Sequence, residues 1–192
     1  PDGDALGSLF GLAEILRGMG KKVLCFTEEP VSHLFDFLPD CDKVCHDLDQ
    51  VFSFVAKADE QVVTISLDCG EASRIGKNKI EFLNNKPFLV LDHHYSHKKH
   101  GDFRWVEPEC SSTGEMVYEL ALALGAEVSL NAAFDLYVAI STDTGSFRYE
   151  CTHPRTLVIA SELIEKGVKP EEVASRVYDN YTKERLKLMD WQ

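Results

Sequence analysis

Asp92-His93-His94 closes the apolar run Pro87–Leu91, so one strand-like segment ends in an acid and two imidazoles. In open parallel sheets such groups gather at the carboxyl ends of strands, where ligands bind. Three other segments place acids in the same way. Val62–Leu67 runs into Asp68, Pro1-Asp2-Gly3-Asp4 precedes a helical pattern, and Asp143 follows Leu136–Ile140 within Ser141–Ser146. Each has an ordinary reading by itself: Asp2 and Asp4 as a helix N-cap with acids suited to the dipole, Asp68 as a turn cap, Asp143 as an Asx-turn. His93 and His94 read alone as a surface pair with Tyr95 and His97, and Lys98, Lys99 and His100 as a solvated loop. Together they deliver four acids and two histidines from four chain-distant segments. Clustered carboxylates repel unless cations neutralise them, so the set points to a metal centre. Carboxylates with one or two imidazoles and no thiolate suit Mn²⁺ or Mg²⁺ better than structural zinc. The surplus of ligands suggests two ions, which at about 3.5–4 Å apart generate hydroxide and clamp a phosphoryl group.

The elements that must position these groups alternate between helical and extended patterns. Ala5–Arg17 sets Leu6, Leu9, Phe10, Ala13 and Leu16 on one helical face, stopped by Gly18 and Gly20. Lys22–Thr27 reads as a strand and Asp47–Ala58 as a helix capped by Asp47, with Val51, Phe54, Val55 and Ala58 inward. A helix over Ile75–Leu83 separates the strands that end at Asp68 and Asp92. Further helices are expected over Ser112–Leu124, Asn131–Ser141, Pro154–Lys166, Pro170–Tyr178 and from Lys183 onward. The strands are nearly continuous apolar runs, which requires cover on both faces. The expected fold is therefore α/β: a mostly parallel β-sheet flanked by helices on both faces, with a helical C-terminal third.

The 192 residues suit one domain with a substantial core, and 44% hydrophobic with 27% charged residues is the balance of a soluble globular chain. The chain opens directly on a candidate motif and ends mid-pattern, and reads as part of something longer. A net charge of −12 argues against a basic face for long duplex nucleic acid, but leaves room for a short phosphorylated ligand held by metals. No window reaches the roughly 18 apolar residues of a membrane span. Six scattered cysteines form no C-x-x-C pair; Cys41 and Cys45 beside His46 lack a second pair for zinc, so reduced thiols in a cytoplasmic protein are expected.

The order Pro1–Ser8, Asp68-Cys69-Gly70, Asp92-His93-His94, Ser111–Glu115 and Thr142–Tyr149 resembles the DHH phosphoesterase family, in particular its bacterial oligoribonuclease/pAp-phosphatase branch. The resemblance implies that residues 1–192 are a DHH-type catalytic domain. It implies one Mn²⁺ on Asp2 and Asp68, and a second on Asp4, Asp68, His93 and Asp143. His94 would face the substrate phosphate as a catalytic residue, Asp92 would orient an imidazole, and Arg148 would meet a second phosphate or the ribose. Two departures stand out. The family's first motif has a histidine at a position three residues ahead of Pro1, and the family's C-terminal DHHA1-like substrate domain has no counterpart in this chain. Without that histidine, one metal site is expected to fill poorly.

The implied activity is Mn²⁺-dependent hydrolysis of short oligoribonucleotides and 3′-phosphoadenosine 5′-phosphate (pAp), with short RNA or small nucleotides as partners and a homodimer as one assembly. Rivals with the same chemistry are a cyclic or linear dinucleotide phosphodiesterase, an exopolyphosphatase or pyrophosphatase, and a single-strand DNA exonuclease. A rival of another class is a non-catalytic nucleotide- or metal-binding regulatory domain.

Overall fold

The computed structural model describes residues 1–77 and 79–178. The first helix, α1 (Gly3–Gly18), begins where Asp2 Oδ1 accepts the Ala5 N–H at 3.0 Å. A carboxylate there satisfies a donor with no intrahelical partner and complements the helix dipole. Leu6, Phe10 and Ala13 are buried as the periodicity predicts, while Leu9 and Leu16 pack partly buried against the core.

Lys22–Thr27, expected as a strand, forms only one parallel bridge, between Phe26 and Cys45. Cys45 N–H donates to the Cys25 carbonyl at 2.8 Å and Thr27 N–H to the Cys45 carbonyl at 3.1 Å. A strand exists through its ladder, and among the described residues this segment finds a partner for only one step. A groove of about 1510 Å³, lined by Leu24 and Phe26 of this segment and by Ile65 and Leu67, lies along it. Next comes α2 (Leu48–Ala56), which Asp47 caps as expected by accepting the Asp49 N–H. None of its residues is fully buried: Val51, Phe54 and Val55 are half-covered, Phe52 is exposed, and Ala58 lies beyond the helix end.

The sheet is parallel with order β1-β2-β3, formed by β1 (Thr64–Leu67), β2 (Phe88–Asp92) and β3 (Phe103–Val106). Its register runs from Thr64↔Phe88 to Leu67↔Leu91 and from Leu89↔Phe103 to Asp92↔Val106. The helix expected over Ile75–Leu83 is displaced. A 3₁₀ turn occupies Ala72–Ile75, Gly76 breaks it at φ +113°, and α3 spans Lys79–Asn84. The central strand β2 is almost continuously buried, β1 is half-buried throughout, and β3 is largely exposed. The apolar-run expectation therefore holds for the strand with a neighbour on each side.

Residues 93–102 connect β2 to the parallel β3 without a helix, and they carry four of the chain's histidines. The connection is pinned to the sheet at its end. Asp102 donates its N–H to the Phe88 carbonyl at 2.8 Å and accepts the Phe88 N–H on Oδ2 at 2.9 Å.

The C-terminal part is helical as expected: α4 (Thr113–Ala123), α5 (Leu130–Asp143), α6 (Pro154–Glu165) and α7 (Pro170–Tyr178). The helix expected from Lys183 onward lies outside the described residues. The core lies where α1, α4 and α5 meet, around Leu6, Phe10, Met116, Val117, Leu136 and Ile140. One face of α1 carries Gly3, Gly7 and Gly11. A Cβ at these positions would overlap Thr142, the Asp135 carbonyl with Ala139, and Leu136 in turn. Glycine at four-residue spacing lets α5 come backbone-close to α1, which brings Asp143 to the same end of the pair as Asp4.

Candidate metal centre

Four elements converge at the carboxyl end of the sheet. Asp4 projects from the first turn of α1, Asp68 follows β1, His93 and His94 follow β2, and Asp143 ends α5. The Nε2 of His93 lies 3.6 Å from Asp4 Oδ2, 3.6 Å from Asp68 Oδ1 and 3.3 Å from Asp143 Oδ2. The Nδ1 of His94 is 3.5 Å from Asp68 Oδ1. Two ligand groups result, Asp4–His93–Asp143 and Asp68–His93–His94, each with its donor atoms within 4.8 Å of one another.

The acids are held by the fold. Asp4 is buried, and its carboxylate accepts the N–H groups of Thr113 at 2.8 Å and Gly114 at 2.9 Å and the Ser8 hydroxyl at 3.1 Å. The two amides come from the first turn of α4, where free N–H groups and the helix dipole favour an anion. Ser112 caps that turn by accepting the Glu115 N–H, and Thr113 donates its hydroxyl to Asp68 Oδ1 at 3.2 Å. Glu115 is in turn fixed by the hydroxyls of Ser111 at 2.5 Å and Thr156 at 2.8 Å. The motif Ser111–Glu115 thus presents a helix start to two of the acids. Asp68 adopts φ +54°, the left-handed region that Asp tolerates better than bulkier residues. That turn directs its carboxylate back over the strand end.

Burial raises the Asp4 carboxyl well above its usual range, and the neighbouring Asp68 and Asp143 push it further. Burial also raises Asp68, with Asp2 adding and His94 and His93 opposing; Asp143 is raised by burial first as well. Two buried acids, Asp4 and Asp68, and the half-buried Asp143 therefore share too little positive charge, the condition a divalent cation relieves. Oxygen and imidazole donors without thiolate fit such an ion; the Cys69 thiol beside Asp68 donates to the Glu71 carbonyl instead.

Asp92 lies behind the cluster, fully buried. Its Oδ1 is 2.7 Å from His94 Nδ1 and its Oδ2 is 2.6 Å from His97 Nδ1. Burial pulls its carboxyl upward, but the hydrogen bonds from His94 and His97 outweigh that and hold it below the usual range. His97, grouped with surface residues only when His93 and His94 are read alone, is only 7% exposed at its side chain and stacks on His100. The polar run Tyr95–His100 carried no sign of this, because His97 is covered only when residues 93–102 fold over the sheet. Tyr95, Lys98 and Lys99 of the same run are exposed.

The remaining expected residues lie differently. Asp2 is exposed, caps α1, and stands outside both ligand groups, though near enough for its charge to raise Asp68 and Asp143. Arg148 sits in the loop after Asp143, where Gly145, Ser146 and Phe147 all have positive φ, and its Nε donates to the Gly145 carbonyl at 2.6 Å. Among the described residues no hydrogen bond or ion pair joins Arg148 to the acids. Sequence reasoning passed over Arg74, whose Nη1 lies 3.3 Å from His94 Nε2.

A parallel α/β domain thus carries at its strand ends an acid–imidazole cluster whose donor set could hold metal ions. The chain belongs to the DHH family: residues 1–141 match the DHH family, N-terminal domain. It is 33% identical over 178 residues to the bifunctional oligoribonuclease and PAP phosphatase NrnA of Thermus thermophilus, covering 92% of this chain and 51% of that protein. It is 30% identical over 182 residues to the protein of the same description from Bacillus subtilis, covering 93% and 54%. The chain therefore spans about half the length of these curated relatives. Among solved structures, an exopolyphosphatase-related protein from Bacteroides fragilis superposes with a TM-score of 0.90 at 29% identity, covering 100% of this chain and 57% of that one. Among the described residues no helix is long and apolar enough to cross a membrane.

Proposed function

We propose that the protein is a Mn²⁺-dependent phosphoesterase that hydrolyses short oligoribonucleotides and pAp by two-metal catalysis, with residues 1–192 as its catalytic domain. The observation that carries this reading is the single His93 nitrogen faced by carboxylates from three different elements, with His94 beside it on Asp68. The substrate choice follows the relatives described as oligoribonuclease and PAP phosphatase. Asp4, Asp68, His93 and Asp143 would hold one ion, and Asp68 with Asp2 the other. Bound there, divalent cations supply Lewis acidity toward phosphoryl oxygens and lower the pKa of water.

The chain's own residues do the rest. Asp92 fixes the His94 ring through Nδ1, which leaves Nε2 toward the open side of the cluster. In its protonated form His94 presents Nε2–H to a phosphoryl oxygen and stabilises charge there. The α4 amides keep Asp4 in place, so the cluster needs little reorganisation as charge develops. A net charge of −12 limits backbone contacts and favours short substrates anchored at the centre.

The test is to incubate the full-length protein with Mn²⁺ and a panel of short RNA, pAp, linear and cyclic dinucleotides and polyphosphate, then identify products. Release of mononucleotides from short RNA and of phosphate from pAp is expected. Asp68→Ala should lose both ions and nearly all activity; retention of a tenth of the activity would contradict the bridging role of Asp68. Equal nucleotide affinity with and without Mn²⁺, and no product from any substrate, would favour a regulatory domain.

A further inference from the structure

We propose that Arg74 positions the substrate: its guanidinium and His94 Nε2 form a clamp on a phosphoryl group presented to the acid cluster. The proposal deepens the phosphoesterase reading and rests on it. Arg74 is exposed, yet its Nη1 lies 3.3 Å from His94 Nε2 and faces Gly70 at the end of β1. Among the described residues it makes no ion pair, although acids surround the site; the one recorded hydrogen-bond partner of its guanidinium is an imidazole nitrogen. Contact between a guanidinium and an imidazole nitrogen is weak beside a charge-assisted bond to phosphate, so an arriving anion displaces it readily. A guanidinium fork also matches two phosphoryl oxygens at once, which a lysine point charge cannot do.

The backbone that carries Arg74 is tied at both ends. On one side Lys77 N–H donates to Glu28 Oε2 at 2.7 Å, and Gly76, at φ +113°, lies so close that a Cβ would overlap the Glu28 carboxylate. On the other side Lys98 pairs with Glu71 and donates its N–H to the Gly70 carbonyl at 2.7 Å. The Ala72–Ile75 turn is therefore strapped to the loop that bears His94. This fixes where the guanidinium starts while leaving its head in solvent. No other arginine among the described residues has a recorded hydrogen bond to a member of the metal centre.

The experiment uses the full-length protein with saturating Mn²⁺. Arg74→Gln should raise KM for pAp about ten- to hundred-fold with a smaller change in kcat, as expected for loss of a charged hydrogen bond. Arg74→Lys should recover only part of the loss. Mn²⁺ affinity and melting temperature should match the wild type, which a role confined to holding His94 or the fold would not allow. An unchanged KM, or a loss that appears only in kcat together with Mn²⁺ affinity, overturns the proposal. Calorimetric binding of inorganic phosphate in the presence of Mn²⁺ gives a readout independent of turnover. If the wild type cleaves nothing in the panel, the phosphoesterase reading fails, while Arg74 stands or falls on whether Arg74→Gln weakens phosphate binding.

Discussion

The packed helices α1 and α5 each bury a carboxylate, and the surroundings treat the two in opposite ways. On α1, Asp4 meets three hydrogen-bond donors, the His93 ring and two further acids. Midway along α5, Asp135 is just as buried, but its Oδ1 finds no partner among the described residues. Burial, with Asp40 and Glu14 nearby, pushes the Asp135 carboxyl up to about 9. Both acids lower stability when ionised, since desolvation opposes the charged form. Only around Asp4 do preorganised donors and other metal-type ligands converge on the charge. A buried acid becomes a site through the groups that share it, and burial alone does not distinguish the two.

Asp4→Asn should break this symmetry most strongly. Activity of the full-length protein with Mn²⁺ should fall by about two orders of magnitude or more, because one ligand group loses an anionic donor. The metal-free protein should meanwhile become more stable at neutral pH, since the carboxyl raised by burial and by Asp68 and Asp143 is gone. Thermal melts with and without Mn²⁺ check this. On the proposed two-ion reading the stabilisation should vanish or reverse with Mn²⁺, because the wild type would gain more from the ions than a variant with one anionic donor fewer.

Asp135→Asn should show the stability effect without the loss of activity. The folded carboxyl titrates near 9 against an ordinary value of 3.8, so the folded state binds its proton more tightly than the unfolded state. The stability linked to that proton is fully present below about pH 4 and is lost as pH rises toward 9. Its loss amounts to about 4 kcal/mol at pH 7. Urea denaturation of wild type and variant should give similar stabilities near pH 4 and a clear advantage for Asp135→Asn near pH 8. Unchanged kcat would confirm that Asp135 takes no part in chemistry, and an equal pH slope in both proteins would contradict the raised carboxyl.

The two acids and their surroundings were not equally legible in sequence. Asp4, Asp68, His93 and Asp143 stand out because each ends or begins an apolar element, and strand ends and helix starts are where an α/β fold gathers polar groups. The helices α1 and α4 to α7 follow their periodicities closely because their apolar faces build the core. Asp135 gives no sign, since an acid within Asn131–Ser141 reads as a solvent-facing position until α1 packs over it through Gly7. Lys22–Thr27 has strand composition but its ladder depends on partners elsewhere, and β3 is a short, exposed edge whose Phe103 and Trp105 do not mark a buried strand. Arg74 and His97 belong to the same kind. Their roles arise from loops folding over strand ends, and local pattern carries no record of that.

His97 tests how far the support of the acid cluster extends. Asp92 is shared between His94 and His97, so removing the second imidazole frees one carboxylate oxygen and lets the carboxylate turn. His97→Leu should lower kcat about tenfold, the lower range for loss of a group that orients a ligand. His97→Asn, whose side-chain amide can still donate to Asp92, should restore much of that loss. A simple packing defect at this buried position would leave both variants similarly impaired and would show as a drop in melting temperature. Rescue by Asn with matched stabilities would instead place His97 in the chain that orients His94, and extend the site one residue beyond the acids and histidines that the sequence reveals.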